Sequence, residues 1–119
     1  VMQYFKLHEF DSPDVPGSGA RMNRDFLELL DEARGIAGVP FRINSGYRTA
    51  GRNEIVGGAP DSSHLRGLAA DISCTTSTAR FRIIAALIAV GFTRLGIHKG
   101  FIHVDNDSLK SPGVTWLYA

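Results

Sequence analysis

A single cysteine, Cys74, stands in the whole sequence. No internal disulfide can form, so the fold must rest on its core and on any metal it holds. Cys74 itself reads as a small buried apolar side chain. Long apolar runs are also missing. The longest, Ile83-Ile84-Ala85-Ala86-Leu87-Ile88-Ala89-Val90, has 8 residues, far short of the roughly 20 that cross a bilayer. Charge of one sign is lacking too. The formal net charge is +1, with acids and bases mixed along the chain, and this points to neither nucleic acid nor an anionic membrane as partner. Val1 to Phe10 carry no charged-then-apolar pattern of a secretion signal. There is no internal repeat, low-complexity tract or linker, and 119 residues at 44 % apolar content suit one domain, residues 1–119, with one core.

What is present is an alternation of two periodicities. Tyr4 to Pro16 reads as an irregular entry, with Pro13, Pro16, Gly17 and Gly19 opposing any helix. From Arg21 onward, Met22, Phe26, Leu29, Leu30 and Ala33 recur at helical spacing, which predicts an amphipathic helix of about four turns closed by Gly35 or Gly38. Phe41 to Asn44 predicts a short strand after Pro40. Arg52 to Val56 predicts one or two helical turns stopped by Gly57-Gly58, and Ala59 to Gly67 a loop. Leu68 to Ser73 is a strand candidate, apolar apart from Asp71. Ser77 or Thr78 is the expected cap of a second helix that runs to Val90 and stops at Gly91. Phe92 to Ile97, Phe101 to Asp105 and Val114 to Tyr118 predict three further strands. Phe10, Phe26, Phe81 and Phe92 are expected in the core, Trp116 and Tyr118 in the core or on an edge strand. The fold class is therefore α+β, a small antiparallel sheet packed with two main helices.

Four histidines are present, and His8, in the entry, is given no role. His64, Asp71 and His103 offer two imidazoles and one carboxylate, the set a catalytic zinc ion needs with a position left open. Asp71 is the most telling, because a carboxylate in an apolar strand is costly unless paired or bound to metal. The alternatives are hydrogen-bonded structural histidines and an Asp71 that caps a turn or pairs with Arg48 or Arg66. In a strand, His103 and Asp105 would face the same side.

The segment Ser62-Ser63-His64-Leu65-Arg66-Gly67-Leu68-Ala69-Ala70-Asp71 resembles the S-x-H-x-x-G-x-A-x-D motif of the zinc D-Ala-D-Ala carboxypeptidases. Phe101-Ile102-His103-Val104-Asp105 resembles the segment with that family's second histidine ligand, and Ser45-Gly46-Tyr47-Arg48 its upstream arginine segment. Phe5 to Phe10 and Trp116-Leu117-Tyr118 resemble segments of small phage and bacterial members, so the likeness spans Phe5 to Tyr118. It implies the Hedgehog-type zinc peptidase fold and one Zn2+ on His64, Asp71 and His103. It implies that Arg48 stabilises an oxyanion or holds a substrate carboxylate. Ser62 would orient a ligand, contact substrate or satisfy its own loop, and Tyr47 would line the cleft beside Arg48. Relatives such as the vancomycin-resistance dipeptidases and the L-alanyl-D-glutamate endolysins carry a glutamate three residues before the last histidine. Here that position is Gly100. His98 stands five residues before His103, where the zinc carboxypeptidases place a catalytic histidine; it is either the proton carrier or an exposed turn residue. Asp105 is the second candidate base, with a role in orienting a ligand histidine preferred. The expected activity is D-Ala-D-Ala carboxypeptidase, with a peptidoglycan endopeptidase or a non-catalytic zinc module as alternatives. The expected partner is a peptidoglycan peptide, with no nucleic acid and no membrane, for a monomer at the bacterial cell wall or periplasm or encoded by a phage and acting on the host wall.

Overall fold

The computed structural model describes residues 2–119. Helix α1 (Arg24–Ala37) starts where the Asn23 side chain accepts the Phe26 N–H at 2.9 Å and ends at Gly38, whose φ of 67° suits a residue without Cβ. Strand β1 (Ile43–Ser45), the short helix α2 (Ala50–Ile55) and strand β2 (Ala69–Ser73) follow. Helix α3 (Ser77–Ala89) is capped by Thr76, whose hydroxyl accepts the Ala79 N–H at 3.2 Å. The cap thus lies one residue before Ser77, because Thr76 still has the extended backbone that a cap requires. Strands β3 (Arg94–Ile97), β4 (Phe101–Asp105) and β5 (Val114–Leu117) complete the chain. The entry segment is less irregular than its prolines and glycines suggest, since Leu7–Phe10 and Ser18–Arg21 form 3-10 turns.

The strand order is β1-β2-β4-β3-β5. Every pair is antiparallel except β3–β5, so the expected antiparallel sheet carries one parallel pair at its edge. The reason lies in β4. It ends at Asp105, beside the start of β3, so the chain passes around that end and lays β5 along β3 in the same direction, Arg94 opposite Val114.

Alternation along the strands sorts the two faces. Ala70, Ile72, Leu95, Ile102 and Val104 join Phe26, Leu30, Ala33, Ile83, Ala86 and Leu87 of α1 and α3 in one core, which also takes Phe5, Phe10, Phe92 and Cys74. Phe81 is not part of it. The inward positions of α3 are Ala79, Ile83, Ile84, Ala86 and Leu87, and Phe81 falls off that stripe and is 75 % exposed. The opposite face of the sheet is chemically different. Register aligns Ser45, Asp71, His103, Gly96 and Trp116 in one row across all five strands.

This division gives an expected outcome. Leu30→Ala, at a position with no exposure, should cost about 2–5 kcal/mol of stability, whereas Phe81→Ala should stay within about 0.5 kcal/mol. Urea unfolding of both variants checks it; equal losses would contradict the assignment of the core.

Candidate metal centre

The row across the sheet places Asp71 and His103 directly opposite each other on β2 and β4. The third group, His64, comes from a 3-10 turn, Ser63–Arg66, that leads into β2. Gly67 closes that turn at φ 68°, and a Cβ there would lie 2.5 Å from the Arg21 carbonyl oxygen, so both conformation and space call for glycine. One ligand atom from each of His64, Asp71 and His103 lies within 4.8 Å of the others.

Each imidazole is oriented through its other nitrogen. His64 donates Nδ1–H to the Gly46 carbonyl at 2.7 Å, leaving Nε2 facing Asp71 Oδ1 at 3.3 Å. His103 donates Nε2–H to Asp105 Oδ2 at 2.7 Å and turns Nδ1 to Asp71 Oδ1 at 2.9 Å. The set fits zinc in donor type, and with bonds of about 2.0–2.2 Å tetrahedral donors stand about 3.4 Å apart, close to the 3.3 Å from His64 to Asp71 and longer than the 2.9 Å from His103. All three residues are buried.

The charges are set by the same contacts. Burial alone would raise the Asp71 carboxyl, but hydrogen bonds from His103 and His64 outweigh it and hold Asp71 well below the usual carboxylate range. Burial likewise opposes ionisation of Asp105, and hydrogen bonds from His103 and Arg94 reverse that, again lowering it. Burial would lower the His103 pKa, yet Asp105 and Asp71 on either side raise it above its usual value. A proton on His103 Nδ1, between the ring and Asp71, would take the place of the metal.

Arg48 reaches the far side of Asp71. Its Nη2 is 3.4 Å from Asp71 Oδ2, while Nε donates to Ser45 Oγ at 3.0 Å and Nη1 to Asn53 Oδ1 at 3.3 Å. Burial lowers its pKa and Asp71 opposes the effect; a guanidinium stays charged nonetheless. Arg48, His64, Asp71, His103, Trp116 and Tyr118 line a cavity of about 380 Å3, and Ser62 and Asp105 also border it. The Ser62 hydroxyl accepts the His64 N–H at 3.3 Å and so caps the ligand-bearing turn.

Two expected residues stand apart. Tyr47 does not border this cavity; it packs against the core, with the Arg21 guanidinium 5.9 Å over its ring. His98 stacks on Phe101 at 4.5 Å and its Nδ1 accepts the Gly100 N–H at 2.9 Å. Phe101 borders the cavity and His98 does not.

Other residues of the site escape a reading by motif. Arg94 donates to Asp105 Oδ1 at 2.6 Å and to the Ser111 carbonyl at 2.6 Å. Asp107 is fully buried and accepts from Ser63 Oγ at 2.6 Å and from Arg66, tying the His64 turn to the end of β4. Arg66 therefore serves Asp107, not Asp71. The signal in the sequence was the alternation His103, Asp105, Asp107, which extends one step beyond the strand.

The pH dependence follows from His103. Its pKa is higher folded than unfolded, so its protonation stabilises the metal-free protein fully below pH about 6.5, and that contribution is lost as pH rises through the raised folded value. Metal affinity must run the opposite way, rising with pH as the proton leaves. Thermal melts of metal-free and metal-loaded protein between pH 5 and 9 check this. Asp105→Asn should weaken the metal about 10–100-fold, measured by competition with a chelator.

A family description, Peptidase M15, matches residues 5–105. No curated protein matches the chain. The matched span contains β1, β2, β4, the Ser63–Arg66 turn and all three candidate ligands. The chain therefore belongs to the peptidase M15 family of zinc-dependent peptidases, and its His64, Asp71 and His103 form the group that can hold one metal ion.

Proposed function

We propose that the protein is a zinc D-Ala-D-Ala carboxypeptidase acting on peptidoglycan stem peptides. The observation that carries this reading is the convergence of His64, Asp71 and His103 within 4.8 Å, beside Arg48 in one cavity. A zinc ion held there supplies a Lewis acid that polarises a carbonyl and acidifies water.

The chain's own residues do the rest. Asp105 and the Gly46 carbonyl fix the tautomers of His103 and His64, so both present a lone pair to the ion. Both Asp105 oxygens are taken, by His103 and by Arg94 and the Asp107 N–H, which supports a role in positioning His103. Arg48 is preorganised by Ser45 and Asn53 and offers a fixed positive charge to an oxyanion or to the terminal carboxylate of a substrate. Ser62 holds the turn that presents His64.

Proton delivery is proposed for His98, which lies outside the cavity lining and packs against Phe101 and Tyr118, two rings that border it. Its Nδ1 accepts from Gly100, so Nε2 is the nitrogen left to exchange a proton, taken from water and passed on to the leaving amine from the imidazolium, which returns to the neutral ring. Gly100 leaves no carboxylate three residues before His103. That speaks against an endopeptidase of the glutamate-bearing kind. It is also the one observation favouring a metal-holding wall module without catalysis.

The test uses zinc-loaded protein and a pentapeptide ending in D-Ala-D-Ala, with mass spectrometry to detect loss of one alanine. Release of D-alanine, abolished in His103→Ala, is the expected result; an inactive unmutated protein would favour the module. Arg48→Lys should lower kcat about 10²–10³-fold with metal content unchanged. His98→Ala should lower it about 10²–10⁴-fold, and unchanged activity would remove His98 as proton carrier.

A further inference from the structure

The metal cavity has a side that the metal ligands and Arg48 do not supply. It comes from β5, which lies beyond residue 105, where the family match ends. Trp116 and Tyr118, two residues apart, both border the cavity. Trp116 takes its place in the row of Asp71 and His103 through Gly96, which pairs with His103 on one side and Trp116 on the other.

Gly96 explains why the rings lie so close to the metal. A Cβ there would stand 2.6 Å from Trp116 Nε1 and 2.7 Å from Tyr118 Cε2. Without it, Trp116 leans across β3 to a ring separation of 5.5 Å from His103. Arg94 holds it there, its guanidinium 5.1 Å over the indole and itself fixed by Asp105 and Ser111. Tyr118 packs on Phe101 at 5.2 Å. Partial burial raises the Tyr118 phenol above its usual range, outweighing the indole beside it, so at neutral pH it keeps its proton and can donate.

We propose that β5 is the substrate-facing wall of the site, with the Tyr118 hydroxyl donating a hydrogen bond to the bound peptide and the Trp116 ring packing against it. This rests on the peptidase reading. Both rings close over Gly96, and among the described residues that line the cavity the two acids, Asp71 and Asp105, are both engaged. A neutral peptide backbone is the ligand such a donor and ring accept.

Trp116 is the sole tryptophan, so its fluorescence reports on its own neighbourhood. The pentapeptide ending in D-Ala-D-Ala, added to the zinc-loaded protein, should change that emission saturably. Tyr118→Phe should weaken binding or lower kcat/KM about tenfold, with zinc affinity and Tm unchanged, because the ring's packing is retained. Emission indifferent to the peptide, or a Tyr118→Phe variant within about twofold of the parent in both binding and turnover, would overturn the proposal. A protein that binds the peptide without cutting it would end the hydrolase reading, and the binding comparison would still decide the wall: a tenfold weaker Tyr118→Phe supports it, an equal one overturns it.

Discussion

The orientation of one imidazole governs the site. His103 stands on β4 with a carboxylate at each ring nitrogen, Asp71 from the neighbouring strand and Asp105 from its own. Strand pairing supplies the first contact and the two-residue period of the strand supplies the second. A slip of one residue in the β2–β4 register would turn His103 into the core and Ile102 or Val104 toward the metal. The ladder is therefore as much a part of the chemistry as the ligands. The apolar face of the same strands, Ala70, Ile72, Ile102 and Val104, is what holds that register in place.

Burying so many polar groups in a small domain is costly unless each is paired. Here Asp71 meets both histidines and Arg48, Asp105 meets His103 and Arg94, and Asp107 meets Ser63 and Arg66. Three acids thus knit together a turn, three strands and an arginine segment that are remote in sequence. Removing one partner leaves the other buried and unmatched, which costs more than the pair contributes.

Much of this was legible in the sequence, and the residues show why. Asp71 stood out as a charge in an apolar strand, and the helical stripe through Phe26, Leu30 and Ala33 named one side of the core before any coordinates. The cap of α3 was misplaced by one residue because Thr76, Ser77 and Thr78 share the same chemistry. Phe81 was misplaced because its apolar character says nothing of its angle around the helix. The parallel β5 was illegible, since only the position where β4 ends determines which neighbour the next strand meets. Tyr47 sits next to Arg48 in the chain, but successive residues of an extended segment diverge, so one faces the core and the other the cavity. Arg94 and Asp107 carry no motif, and their importance depends on strand pairing and on a loop's return.

The apolar core, the helix caps and the hydrogen bonds that aim His64 and His103 are all made by the chain's own groups. Small zinc modules that are unfolded until they capture their metal have no such core of their own. Here the three candidate ligands sit on elements that the apolar core also fixes, one on a capped turn and two on paired strands. An ion taken up there adds to that frame by mass action, so its supply shifts the balance between folded and unfolded chains.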